Sequence, residues 1–172
     1  MPSTQVIIGN VVSLIACILM VISGLFKSRK KTLIFQTADI VFAAASNIIL
    51  GAFTGAIVNG ISVGRNILCY KEKFNLPVKI IFIVVTAGLT IIFNNKGILG
   101  FFPIISNISY TLLMDKLDRR NFKILIIFTL VWWGVYDILV CNYVAFCFDM
   151  GTIVTSLVAI LKIERQKKET QC

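Results

Sequence analysis

Long apolar runs broken by short basic clusters organise the chain. The first run covers residues 5–26 and ends in KSRKK at 27–31. The next basic cluster begins at Lys71, and only Asp39 and Arg65 interrupt the stretch between. One bilayer crossing needs about 20 residues, so this stretch holds two helices, with Gly51 as the natural corner. Helix 2 is predicted over 32–50 and helix 3 over 53–70. KEKFNLP at 71–77 is a loop with a proline stop, helix 4 follows over 78–94, and NNKG at 94–97 is a turn. Helix 5 is predicted over 98–114, and DKLDRRN at 115–121 is a charged loop. Residues 122–161 repeat the earlier situation, with a corner at Cys141-Asn142 and helices over 122–140 and 143–162. The polar tail, 163–172, is expected to be disordered. The pattern predicts an all-α membrane protein with seven transmembrane helices.

Composition agrees. The chain is 58% hydrophobic and only 15% charged, with a mean hydropathy of +0.90. Soluble domains run at about 45–50% apolar, so the expected partner is a lipid bilayer, which solvates the excess. The net charge of +9 does not argue for nucleic acid, because the basic residues sit in runs between spans. With the N-terminus outside, segments 27–31, 71–79, 115–123 and 162–172 are cytoplasmic and hold 15 of the 17 lysines and arginines. The positive-inside rule therefore predicts an inner-membrane protein with its N-terminus outside and its C-terminus in the cytoplasm. The N-terminus lacks the basic region of a signal peptide, its first charge being Lys27.

Five cysteines occur without CxxC spacing, and there is no histidine. No metal site, cofactor or disulfide framework is expected. The usual general base is missing too, so no catalytic residue is nominated and an intramembrane enzyme ranks last among functions.

Two units of basic loop, helix, corner and helix lie 90 residues apart. Arg29 maps to Arg119, Lys30 to Arg120, Asn47 to Asp137, Phe53 to Tyr143, Asn59 to Asp149 and Ser62 to Thr152. Adding helices 1 and 5 gives two parallel three-helix bundles, residues 5–70 and 98–162, joined by a linker helix, 78–94. Parallel repeats about an axis along the membrane normal are one transporter plan.

That 3+1+3 layout resembles the SWEET and PQ-loop transporters and the bacterial nicotinamide riboside transporters. The segment SGLFKSRKKTLIFQTADIVFAAASNIILGAFTGAIVNGISVGRNILCY is similar to the bacterial inner-membrane YgjV family over helices 1–3, with weaker similarity through helices 5–7. The resemblance implies a SWEET-like fold and names no substrate. SWEET-type proteins place hinge prolines in several helices; here only Pro103 lies within a predicted helix, and its repeat partner is Ser13.

A charge at a helix centre costs about 2.5–3.5 kcal/mol on insertion scales, so intramembrane charges are functional candidates. The chain has Asp39, Arg65, Asp137 and Asp149, with Asn47, Asn59, Asn66 and Asn107 as neutral companions. Asn59 and Asp149 lie at matched depth in the third helix of each bundle, where SWEET-like proteins contact substrate. The resemblance carries that role to these two, against the alternative of helix packing. Trp133 and Asp137 share a face at i, i+4, loosely resembling a WxxxN element of nicotinamide riboside transporters. Asn59, Asp149, Trp133, Asp137 and Asn47 are the candidate substrate-binding residues, and the first three are expected in one cavity open to the outside. Asp39 and Arg65 lie almost equally far from Gly51, so they are read as an interhelical ion pair or a gate. Gly51, Gly55, Gly60 and Gly64 form a small-residue face suited to close helix packing.

Two functions remain. One is a small-solute transporter with a midplane site between the bundles, taking a small polar solute. The other is a non-transporting regulatory or assembly protein of the membrane. Homo-oligomerisation is left open.

Overall fold

The computed structural model describes residues 3–26, 29–113 and 117–171, so Lys27 and Lys116 of the basic loops lie outside the described residues. Among these residues the expected seven α-helices are present. They are α1 (Thr4–Leu25), α2 (Arg29–Ile49), α3 (Phe53–Tyr70), α4 (Leu76–Phe93), α5 (Phe101–Leu113), α6 (Arg119–Leu139) and α7 (Tyr143–Gln171), with a 3-10 turn over Gly97–Gly100 leading into α5. By length and composition, α1, α2, α4, α6 and α7 are each able to cross a membrane. The other two fall short for different reasons. α3 has 18 residues but carries Asn59, Arg65 and Asn66, and α5 has only 13.

Helix ends differ from the pattern where polar residues are good helix formers. α2 and α6 start at Arg29 and Arg119, inside the basic clusters rather than after them. Asp118 caps α6 by accepting from the Asn121 N–H at 3.3 Å. The tail is not the disordered segment expected, because α7 continues through it to Gln171. Its Glu, Arg, Gln and Lys residues favour helix, and Glu164 pairs with Arg120 of α6 at 2.8 Å. Pro77 falls in the first turn of α4, behind the Asn75 cap. Pro103 falls in the first turn of α5, not mid-helix. A first-turn proline removes no hydrogen bond internal to its own α-helix.

The neighbour relations close a ring. α1 packs on α2, α2 on α3, α3 on α5, α5 on α6, α6 on α7, and α7 returns to α1. α4 stands outside, touching α3 and α5. Shifting α1, α2 and α3 to α5, α6 and α7 turns each of these ring contacts into another, as a pseudo-two-fold axis through the ring requires.

The corners carry the repeat to atomic detail. At α2–α3, the Gly51 N–H bonds the Ile48 carbonyl at 3.0 Å and the Ala52 N–H bonds the Asn47 carbonyl at 2.7 Å. At α6–α7, the Cys141 N–H bonds Ile138 at 3.3 Å and the Asn142 N–H bonds Asp137 at 2.8 Å. Both are Schellman motifs, with φ of +65° at Gly51 and +63° at Cys141. Left-handed backbone suits glycine, and a side chain there costs about 1–2 kcal/mol. Cys141 bears that cost.

Outward faces are apolar. On α4, Val84 is 64% and Ile92 72% exposed, and similar residues line the outer faces of the other helices. Such continuous apolar surface is a lipid face. Gly60 and Gly64 make no close helix contact: nothing lies within 4 Å of a Cβ built on Gly60, and Gly64 would meet only the Phe82 ring at 3.5 Å. The close approach is at Gly55, where an added Cβ would lie 2.8 Å from both Tyr136 Cε1 and Asn47 Nδ2.

Candidate functional site

Inside the ring lies a cavity of about 330 Å³. It occupies the half of the bundle nearer the basic loops: Met20 lies near the end of α1, Leu33 near the start of α2, Tyr110 near the end of α5 and Phe122 near the start of α6. Its wall follows the repeat. Met20 and Tyr110, Gln36 and Ile126, Asp39 and Thr129, Ile40 and Leu130, and Ser62 and Thr152 all line it, each pair separated by 90 residues. Two copies of one helical unit therefore face one space, as the pseudo-two-fold predicts. The charge is uneven, because Asp39 and Arg65 both come from the first unit, while the second adds the neutral polar groups of Ser106, Asn107, Tyr110, Thr129 and Thr152.

Arg65 is buried in that wall at 7% exposure. Its Nη1 donates to Asn107 Oδ1 at 2.7 Å and Thr111 Oγ1 at 3.3 Å, both on α5. Asn107 is held in turn, donating through Nδ2 to Ser62 Oγ at 3.3 Å and accepting from Thr111 at 3.1 Å. The Tyr110 ring lies under the guanidinium, 5.0 Å from its carbon, in cation–π geometry. These contacts bind α3 to α5, the two helices least able to cross a membrane on their own. A guanidinium in a lipid-embedded helix needs polar partners, and α5 supplies them where the ring hides both from lipid.

The sequence expectation of an Asp39–Arg65 ion pair is corrected here. No such pair occurs among the described residues; both groups line the cavity, but Arg65 turns to α5 and Asp39 has no hydrogen-bond or ion-pair partner among those residues. Equal distance from a corner fixes depth, not the direction a side chain takes around its helix.

The expected binding residues separate in the same way. Asn59 and Trp133 line the cavity; Asp149, Asp137 and Asn47 do not. Asn47 is buried beside Gly55. Asp137 is buried at the α6–α7 corner and accepts from Asn142 Nδ2 at 3.3 Å. Asp149 is half-buried, with Oδ2 lacking a hydrogen-bond partner. Its repeat mate Asn59 faces the cavity, so equivalence in sequence did not carry to equivalence in lining.

Away from the basic loops, buried side chains pack at the two corners. Tyr136, fully buried, packs with Ala52 and Val140, and its hydroxyl accepts the Gly55 N–H at 3.0 Å. That bond satisfies one of the orphan donors in the first turn of α3. At the first turn of α7, Asn10 of α1 does the equivalent work, accepting the Val144 N–H at 2.9 Å and donating to the Cys141 carbonyl at 2.8 Å. Asn95 donates to the Gly51 carbonyl at 2.7 Å. Ser13 donates to Asn142 Oδ1 at 2.7 Å and lies 2.8 Å from Ser46 Oγ. Asn10, Ser13, Tyr136 and Thr111 were not singled out from the sequence. Asparagines and serines inside apolar runs were the available signal, being costly in lipid unless bonded.

Residues 7–167 match the family described as Imp-YgjV, bacterial inner membrane protein. The chain belongs to this family. It is accordingly a bacterial inner-membrane protein whose apolar helices contact lipid. No curated protein matches it, and no solved structure does. Within this YgjV-family chain the cavity and the hydrogen-bonded corners both gather side chains that are costly in lipid.

Proposed function

We propose that this chain carries small polar solutes across the inner membrane by alternating access, as a transporter rather than an enzyme. The observation that carries the reading is the polar cavity enclosed by two copies of one three-helix unit. Rocking of one unit against the other about a central site is how parallel-repeat transporters work. The SWEET-like resemblance supports the same motion. With the N-terminus outside and the C-terminus cytoplasmic, the cavity faces the cytoplasm and the hydrogen-bonded end closes the outer side. The described arrangement is then an inward-facing state, and transport requires the bonds among Asn10, Ser13, Tyr136 and the two corners to part.

The test is saturable flux into liposomes holding the purified protein, across a panel of small metabolites. Asn59→Leu, which replaces a polar group of the cavity wall with an apolar one, is expected to cut flux at least about tenfold while the protein still elutes as a folded species. Asp149→Asn, outside the cavity, is expected to do less. Flux of no solute above protein-free liposomes would overturn the transport reading in favour of a regulatory or assembly role. A reporter fused after Cys172 that reads as periplasmic would overturn the orientation.

A further inference from the structure

We propose that the cavity selects a small zwitterion, with its carboxylate on Arg65 and its ammonium group on Asp39. The inference rests on the transport reading only in taking the cavity to be the solute site.

The guanidinium is half committed. Nη1 is occupied by Asn107 and Thr111. Nε is buried and has no hydrogen-bond partner, and Nη2 has none among the described residues. Nε–H and one Nη2–H point the same way along one edge of the planar group, the fork that receives a carboxylate through two parallel bonds. Asn107, Thr111 and the Tyr110 ring hold the rest of the guanidinium, so this edge is already oriented. A buried cationic donor left unbonded is costly, and Arg65 belongs to the cavity wall.

Asp39 is the other charged group in the wall, and no bond among the described residues engages it. The two opposite charges share one cavity without bridging each other. A lone anion would answer Arg65 and leave Asp39 uncompensated. A polyol would answer neither charge with a charge. A zwitterion neutralises both and adds no net charge to a low-dielectric space. A volume of about 330 Å³ lies at the small end of ligand cavities, about 300–1,000 Å³, so the solute is small.

The test is equilibrium binding to the full-length protein in detergent free of phospholipid. The probes are L-alanine, β-alanine, 4-aminobutanoate and glycine betaine as zwitterions of graded charge separation, propylamine and propanoate as single charges, and glycerol as the neutral reference. At least one zwitterion is expected to bind at least about tenfold tighter than the amine, the acid and glycerol, the difference one charge-assisted pair makes. Arg65→Lys, which keeps the charge and loses the fork, is expected to lose that preference. Asn107→Asp gives the guanidinium an internal carboxylate and is expected to weaken binding without loss of fold, which covers the case in which Arg65 variants do not fold. Asp39→Asn is expected to bring the zwitterion down to the affinity of propanoate.

Glycerol binding best, no zwitterion binding, or full affinity in both Arg65→Lys and Asn107→Asp would each overturn the inference. Competition by phosphatidylethanolamine dissolved in the same detergent micelles would overturn it in favour of a lipid headgroup. Binding without flux in liposomes would remove the transport reading and leave the inference standing. Saturable flux of a neutral solute, undiminished in Asn107→Asp, would do the reverse.

Discussion

At the corner between α2 and α3 the left-handed residue is Gly51, and at the corner between α6 and α7 it is Cys141. The hydrogen bonds around them run between equivalent atoms, and helices α2 and α6 have equivalent ends. One backbone is therefore built twice on sequences with little identity. Above the corners the two units diverge. The third helix of the first unit carries Arg65, bonded to the neighbouring α5. Its equivalent in α7 is Thr155, exposed and bonded to its own helix at the Thr152 carbonyl. Backbone geometry needs only a helix stop and one residue able to take positive φ, so it survives divergence. A charged wall needs particular side chains, and both charges, Asp39 and Arg65, come from the first unit.

Breaking the Arg65 network should have the largest effect on that asymmetry. Asn107→Leu leaves the guanidinium without its main acceptor, and a stranded buried charge costs about 3–5 kcal/mol. The double change Arg65→Met, Asn107→Leu should recover part of that loss. Thermal unfolding in detergent measures both, and a double variant no better than Asn107→Leu alone would mean the two do not act together.

Gly55 comes next, because its equivalent in the second unit is Ala145. Gly55→Ala drives a Cβ to 2.8 Å from Tyr136 and Asn47 and should cost about 1–3 kcal/mol by overpacking. Ala145→Ser, where the repeat already carries a Cβ, should be nearly silent in the same melt. The corners themselves should respond with opposite signs. Gly51→Ala is expected to lose about 1 kcal/mol and Cys141→Gly to gain about as much. Equal and same-signed shifts would mean that the corners are not equivalent. The smallest effect belongs to the Arg120–Glu164 pair, more than 40% exposed on each side chain. Arg120→Ala should cost below about 1 kcal/mol, and still less in high salt.

Apolar run length and basic loops sufficed for the membrane and the helix count, because solvation by lipid acts on composition and spacing alone. Six of the seven helices begin or end within three residues of the predicted positions at both ends. The exception is α7, whose charged tail has helix-forming residues that a hydropathy pattern does not register. Asp39, Arg65, Asn59 and Trp133 were legible as candidates because intramembrane polarity is rare. Which of them meet was not legible. Depth along a helix follows from residue number, but whether a side chain points to the ring centre, to a neighbour or to lipid depends on how each helix is turned in the bundle. That rotation is set by many small packing contacts, such as Gly55 against Tyr136, and these exist only once all the helices are in place. It put Arg65 against Asn107 instead of Asp39, Asn59 in the cavity and Asp149 outside it.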